Sequence, residues 1–256
     1  MGAWVERDLT ALARKGDIAP AFEVEHIIDE VAALIEAGKR PVLVGEAGVG
    51  KTAVVLEMVR RAAAGEGVAA LSGRKVLQIS FRRRAAAMKD PRAIGLEFQK
   101  FIDLVADKGD ELALYFTDFD VCNGFNLKTM LQTLALRFTK PMIAKSRRGP
   151  IDSMLEYSPE LQQNYTLVHV AEPDLERTLK ILEKWSEDRA GRGLKGFSHA
   201  ALTEALYLTH RFLSRQQLPR KAVDLLCDTG VLAGKAGAVT PRDIVERFAA
   251  THRVPR

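Results

Sequence analysis

The stretch Gly45-Glu46-Ala47-Gly48-Val49-Gly50-Lys51-Thr52 constrains this chain more than any other, because of what stands on either side of it. Val42, Leu43 and Val44 form a short apolar run before the glycines, and Val54, Val55 and Met58 follow at helical spacing. Strand, glycine loop, helix is the expected order. The spacing G-x-x-x-x-G-K-[ST] is that of a phosphate-binding loop, whose glycines let backbone N–H groups approach phosphate oxygens with no side chain in the way. The helix N-terminus adds its partial positive charge. In such a loop Lys51 reaches the β- and γ-phosphates of ATP, and the Thr52 hydroxyl ligates Mg2+.

Further apolar runs at 76–79, 112–116, 142–144 and 167–170 are separated by stretches long enough for crossover helices. That alternation predicts an α/β fold with a parallel, doubly wound sheet. Ahead of the loop, Ile27, Ile28, Val31, Leu34 and Ile35 recur with helical period and stop at Gly38. Beyond Pro173 the strand pattern ends. Leu175, Leu179 and Leu182, then Leu202 and Leu206, then Val223, Leu225 and Leu226 mark successive helices, with Ser198 as an N-cap and Thr240-Pro241 opening the last. The expected organisation is a nucleotide-binding α/β domain over 1–172 and a smaller all-helical domain over 173–256.

Magnesium held by a phosphate loop needs an acid at the end of a neighbouring strand. Asp118 follows Leu114-Tyr115-Phe116-Thr117 and is the candidate, so the expected metal ligands are Thr52 and Asp118. A glutamate that orients the attacking water usually comes next, but Phe119 stands there. Asp120 would share the side of Asp118 on an extended strand and is a candidate base; the plain alternative is that it opens a loop.

Lys and Arg number 38 against 33 Asp and Glu, a net charge of +5 that says little about partners by itself. Two local runs say more: Arg82, Arg83 and Arg84, and Lys140, Lys145, Arg147 and Arg148. Each is either a solvated rim or a set of nucleic-acid phosphate contacts. The five histidines are scattered, and Cys122 and Cys227 are too few for a disulfide framework, which argues against a transition-metal site and for a reducing compartment. No apolar run approaches the roughly 20 residues that cross a bilayer, and the first residues lack a signal-peptide core. A cytoplasmic location is expected.

Several blocks together resemble the first AAA+ module of the Clp-type protein unfoldases, the ClpA, ClpB and ClpC group. They are Asp8-Leu9-Thr10-Ala11-Leu12-Ala13 with Pro20, the glycine loop, Val170-Ala171-Glu172-Pro173, Arg215-Gln216-Gln217-Leu218-Pro219-Arg220-Lys221-Ala222-Val223-Asp224-Leu225, and Val239-Thr240-Pro241-Arg242-Asp243-Ile244. The resemblance implies an AAA+ sheet with a helical lid, use of ATP and Mg2+, and action as an oligomer or with a protein partner. It also implies that Pro20, Ala21 and Phe22 with Leu218 and Pro219 sandwich the adenine, and that Ser146 is the sensor hydroxyl on the γ-phosphate side.

Where that family has paired arginines before its fifth strand, this chain reads Gln162-Gln163-Asn164-Tyr165, and where it has a pore aromatic, Lys89-Asp90-Pro91-Arg92. No second module follows within the sequence. These departures fall on hydrolysis and threading, because an arginine finger alone contributes about 10³–10⁵ in rate and a catalytic base a further 10²–10⁴ or so. The expectation is an ATP-binding, Clp-like protein acting through nucleotide-dependent conformation or assembly. A slow but active ATPase or chaperone and a nucleic-acid-associated helper ATPase are the alternatives.

Overall fold

The computed structural model describes residues 2–90, 93–108, 111–125, 127–232 and 239–252. The chain forms two compact units, one of residues 1–20, 24–45 and 51–170 and one of residues 21–23, 46–50 and 171–256.

The first unit is built on a six-stranded sheet of β1 (Val5–Asp8), β2 (Arg40–Val44), β3 (Lys75–Ile79), β4 (Leu112–Phe116), β5 (Met142–Ser146) and β6 (Tyr165–His169), in the order β1-β3-β4-β5-β2-β6. Four of its five pairings are parallel, as the alternating pattern requires. β2 and β4 are buried at every position, and β4 and the Val42–Val44 part of β2 accordingly read as apolar runs, whereas the buried Arg40 at the start of β2 donates to the Phe138 carbonyl at 3.0 Å. β1 pairs antiparallel with β3 and was not visible in the sequence, because Val-Glu-Arg-Asp carries no apolar run. β6 begins two residues before the run at 167–170, since pairing with Arg40–Val44 and not hydrophobicity sets its start.

The sheet is flanked by α1 (Leu9–Arg14), α2 (Glu25–Glu36), α3 (Lys51–Ala64), α4 (Phe81–Ala86), α5 (Ile94–Ala106), α6 (Val121–Gly124), α7 (Lys128–Arg137), α8 (Pro150–Glu156) and α9 (Pro159–Gln162). α2 turns Ile27, Ile28, Val31 and Ile35 inward, the predicted stripe. A chain of rings runs through the core: Trp4 meets Phe81 edge-on at 5.6 Å, Phe81 stacks on Phe116 at 5.4 Å, and Phe119 lies 5.1 Å from Tyr165. Fully burying each phenylalanine contributes about 1.5–3 kcal/mol, so this cluster is a main anchor of the sheet's helical cover.

The second unit contains α10 (Leu175–Gly191), α11 (His199–Phe212), α12 (Arg220–Leu232) and α13 (Pro241–His252) around Leu182, Leu202, Leu206, Leu226, Ile244 and Phe248. Ser198 and Thr240 open helices as the sequence suggests, and Asp174 is a further cap. Ser198 accepts from Ala201 N at 3.2 Å, Asp174 from Arg177 N at 2.7 Å, and Asp243 reaches back to Thr240 N at 2.8 Å.

Candidate functional site: the phosphate loop and the strand ends beside it

β2 ends at Val44 and α3 begins at Lys51, so the predicted strand, loop and helix follow in order. Gly48 and Gly50 have φ of +104° and +107°, a region in which a side chain is strained. Gly48 has a second reason to be glycine, because a Cβ there would stand 3.2 Å from the Gln217 carbonyl oxygen and from Arg220 Cβ. Lys51 is only 9% exposed, and its Nζ donates to the Gly45 carbonyl at 2.6 Å. Its charge is thereby held at the N-terminal end of a 14-residue helix, where anions are favoured.

Thr52, the next residue, is engaged from β5. Lys145 Nζ donates to Thr52 Oγ1 at 2.7 Å. Lys145 pairs in register with Leu43 of β2, so the strand that leads into the loop also sets the height of the lysine. Tyr115 approaches from β4: burial raises its phenol well above the usual range, with Thr52 acting in the opposite direction, and its hydroxyl makes no hydrogen bond of normal geometry. Ser146, the expected sensor, is 3% exposed and donates to the Arg147 carbonyl at 2.9 Å.

The acidic residues behave differently from the expectation. Asp118 is buried, and its carboxylate accepts three bonds at the start of α4, from Phe81 N and Arg82 N at 2.9 Å each and from Ser80 Oγ at 2.8 Å. It holds a helix N-terminus. The strand ends at Phe116 and the chain then bends, so the alternation that would put Asp118 and Asp120 on one strand side does not extend to them. Asp120 instead pairs with Arg147 at 3.2 Å and Arg82 at 3.6 Å. Phe119 belongs to the core of the first unit. Its side chain is fully buried between Phe116 and Tyr165.

These contacts bear on the ion that the family's chemistry implies. Magnesium demands near-octahedral oxygen ligands at about 2.0–2.1 Å. Here Thr52 Oγ1 accepts from an ammonium and Asp118 is committed to three donors. Two unit charges 4 Å apart repel by about 4 kcal/mol at an effective dielectric constant of 20, and a divalent ion doubles that. Among the described residues no group of three or more His, Cys, Asp or Glu side chains is disposed to hold a metal. The Thr52 and Asp118 pair therefore does not fit magnesium in this arrangement. Lys145 is the residue that sequence reasoning undervalued, counted only in a basic run; the available signal was a lone lysine inside the apolar strand Met-Ile-Ala-Lys-Ser.

Of the residues expected at the adenine, Ala21, Phe22, Leu218 and Pro219 belong to the second unit and Pro20 to the first. Leu218 is 2% exposed, and its N–H donates to Glu172 at 2.6 Å. The basic runs are partly consumed internally: Arg84 pairs with Glu97 at 2.8 Å, Arg83 donates to the Val5 carbonyl at 3.1 Å, and Arg82 and Arg147 share Asp120. Where arginines were absent before β6, Gln162 donates to the Leu155 carbonyl and Asn164 to that of Glu160, each at 2.9 Å. Of the pore-loop stretch, Pro91 and Arg92 lie outside the described residues.

The mostly parallel sheet, the glycine loop and the helical second unit are the parts of a AAA+ fold. Residues 174–253 match the family described as AAA lid domain. The chain is 27% identical over 228 residues to chaperone protein ClpB of Propionibacterium freudenreichii subsp. shermanii, a match covering 86% of this chain and 26% of that one. It is 28% identical over 251 residues to ClpB of Nitratidesulfovibrio vulgaris, covering 94% and 29%. A solved Hsp104-ADP complex of S. cerevisiae superposes over 99% of this chain and 45% of its own, with a TM-score of 0.83 at 21% identity, a likeness of fold. The lid-domain match and the ClpB relatives support a Clp-type AAA+ protein. It spans about a quarter of the length of the curated relatives it matches. Among the described residues no helix is long and apolar enough to cross a membrane.

Proposed function

We propose that this chain binds ATP at the loop Gly45 to Thr52 and acts through nucleotide-dependent conformation or assembly with a protein partner, hydrolysing ATP slowly if at all. In that reading residues 1–172 are the nucleotide-binding body and 173–256 the lid. The supporting observation is the contrast between the two halves of the chemistry. The binding half is intact: a buried Lys51 at the start of a long helix, preceded by glycines in positive φ. The hydrolytic half is spent on structure, with Asp118 at the α4 N-terminus and Asp120 between two arginines.

Nucleotide and magnesium both belong to the chemistry of Clp-type AAA+ chaperones, and the solved S. cerevisiae Hsp104 structure is an ADP complex. Of the two, the side chains here favour the nucleotide. The internal pairing of Arg82, Arg84 and Arg147 leaves the nucleic-acid reading with less support than the protein-partner one. Calorimetric titration tests the site directly: Lys51→Ala, which removes the charge facing the β- and γ-phosphates, should abolish ATP binding. Unchanged affinity in that variant would refute the assignment.

A further inference from the structure

We propose that Lys145 takes the place of the divalent cation in this site, so that the chain binds Mg2+-free nucleoside triphosphate. This rests on the nucleotide-site reading above and extends it to the chemical form of the ligand. In phosphate loops the Thr hydroxyl following the lysine is a metal ligand. Here that hydroxyl, Thr52 Oγ1, already accepts from the Lys145 ammonium at 2.7 Å. A strand residue delivers the charge, and its register is held by parallel pairing on the very strand that enters the loop, Leu43 opposite Lys145 and Val44 opposite Ser146. The acid that would complete a metal shell is turned away, its oxygens taking Ser80 Oγ, Phe81 N and Arg82 N.

An ammonium can do part of what the ion does. It places positive charge beside the β- and γ-phosphate oxygens and offers three donors in adjustable directions, whereas it cannot organise an octahedral shell. Lys51 and Lys145 then flank the phosphate tail from the helix start and the strand end, and the triphosphate's charge is met without metal. The same ammonium repels a divalent ion from the Thr52 hydroxyl.

The test is calorimetric titration of ATP into the full chain, in buffer with EDTA and in buffer with excess Mg2+. The expected result for the native chain is affinity in EDTA within about threefold of that in magnesium. Lys145→Met should lose roughly tenfold to a hundredfold in EDTA, the scale of one charge-assisted contact, and recover affinity when magnesium is added. Lys145→Arg, which keeps the charge, should remain indifferent to magnesium, and thermal melts of both variants report whether they fold. Native binding that falls tenfold or more in EDTA would overturn the proposal while leaving the nucleotide site standing. Equal binding by Lys145→Met and the native chain in EDTA would do the same. Absence of ATP binding in both buffers would overturn the site itself and the proposal with it.

Discussion

Phe119→Glu would put a carboxyl where a fully buried ring now stands. By position alone, glutamate after Asp118 would supply a missing water-orienting group. Phe119, however, is fully buried, with Tyr165 at 5.1 Å and Phe116 at 6.1 Å. Removing a buried phenylalanine costs about 3–5 kcal/mol, and leaving a protonated carboxyl without a partner in the vacated space adds about 1–3. Keeping that carboxyl neutral at pH 7, against an unfolded value of about 4.3, adds roughly 4 kcal/mol more.

The total, about 8–12 kcal/mol, is comparable to the whole stability of a domain. The new carboxyl would have a folded pKa raised above its unfolded one. Its favourable contribution is therefore present below the unfolded pKa and is lost as pH rises through the folded pKa. Relative to the native chain, the deficit should shrink by about 3 kcal/mol between pH 7.5 and pH 5. Urea unfolding followed by circular dichroism at the two pH values, with Phe119→Leu as an apolar control, measures both quantities. A Phe119→Glu protein within about 1.5 kcal/mol of native stability, or one whose deficit ignores pH, would refute the placement of this ring. ATP turnover near 1 s⁻¹ in that variant, an ordinary enzyme rate, would return position 119 to the catalytic machinery.

Asp118→Ala strips the acceptor from Ser80 Oγ, Phe81 N and Arg82 N and should lower stability by about 2–4 kcal/mol, with Asp118→Asn in between; unchanged urea midpoints with lost ATP binding would instead make Asp118 a ligand-site acid. Cys122 is fully buried, and burial, followed by the nearby Asp118 and Asp120 carboxylates, pushes its thiol well up. Labelling of Cys122 by a maleimide at pH 7.5 should run at least about 100-fold slower in the native protein than in denaturant, and slower than that of the partly exposed Cys227. Equal native rates at the two cysteines, read by peptide mass, would contradict the packing of the turn after β4.

The sequence by itself determined the elements whose cause is local. Apolar runs fully buried in a parallel sheet, the helical stripe of α2, the caps at Ser198 and Thr240, and the spacing of the phosphate loop all follow from periodicity and from residue types with narrow backbone preferences. The charged strand β1 escaped because only its antiparallel pairing with β3, a contact distant in sequence, makes Val5–Asp8 a strand. The surroundings of the candidate site residues around the loop were decided later still. Whether Asp118 faces a metal or caps α4, whether Phe119 faces water or the core, and whether Lys145 lies on a solvated rim or against Thr52 depend on where β4 stops, how the chain bends after Phe116, and how β5 registers on β2. Residue order cannot specify those outcomes on its own, because a side chain's partner at a strand end is set by the neighbouring strand and helix, and these come from elsewhere in the chain.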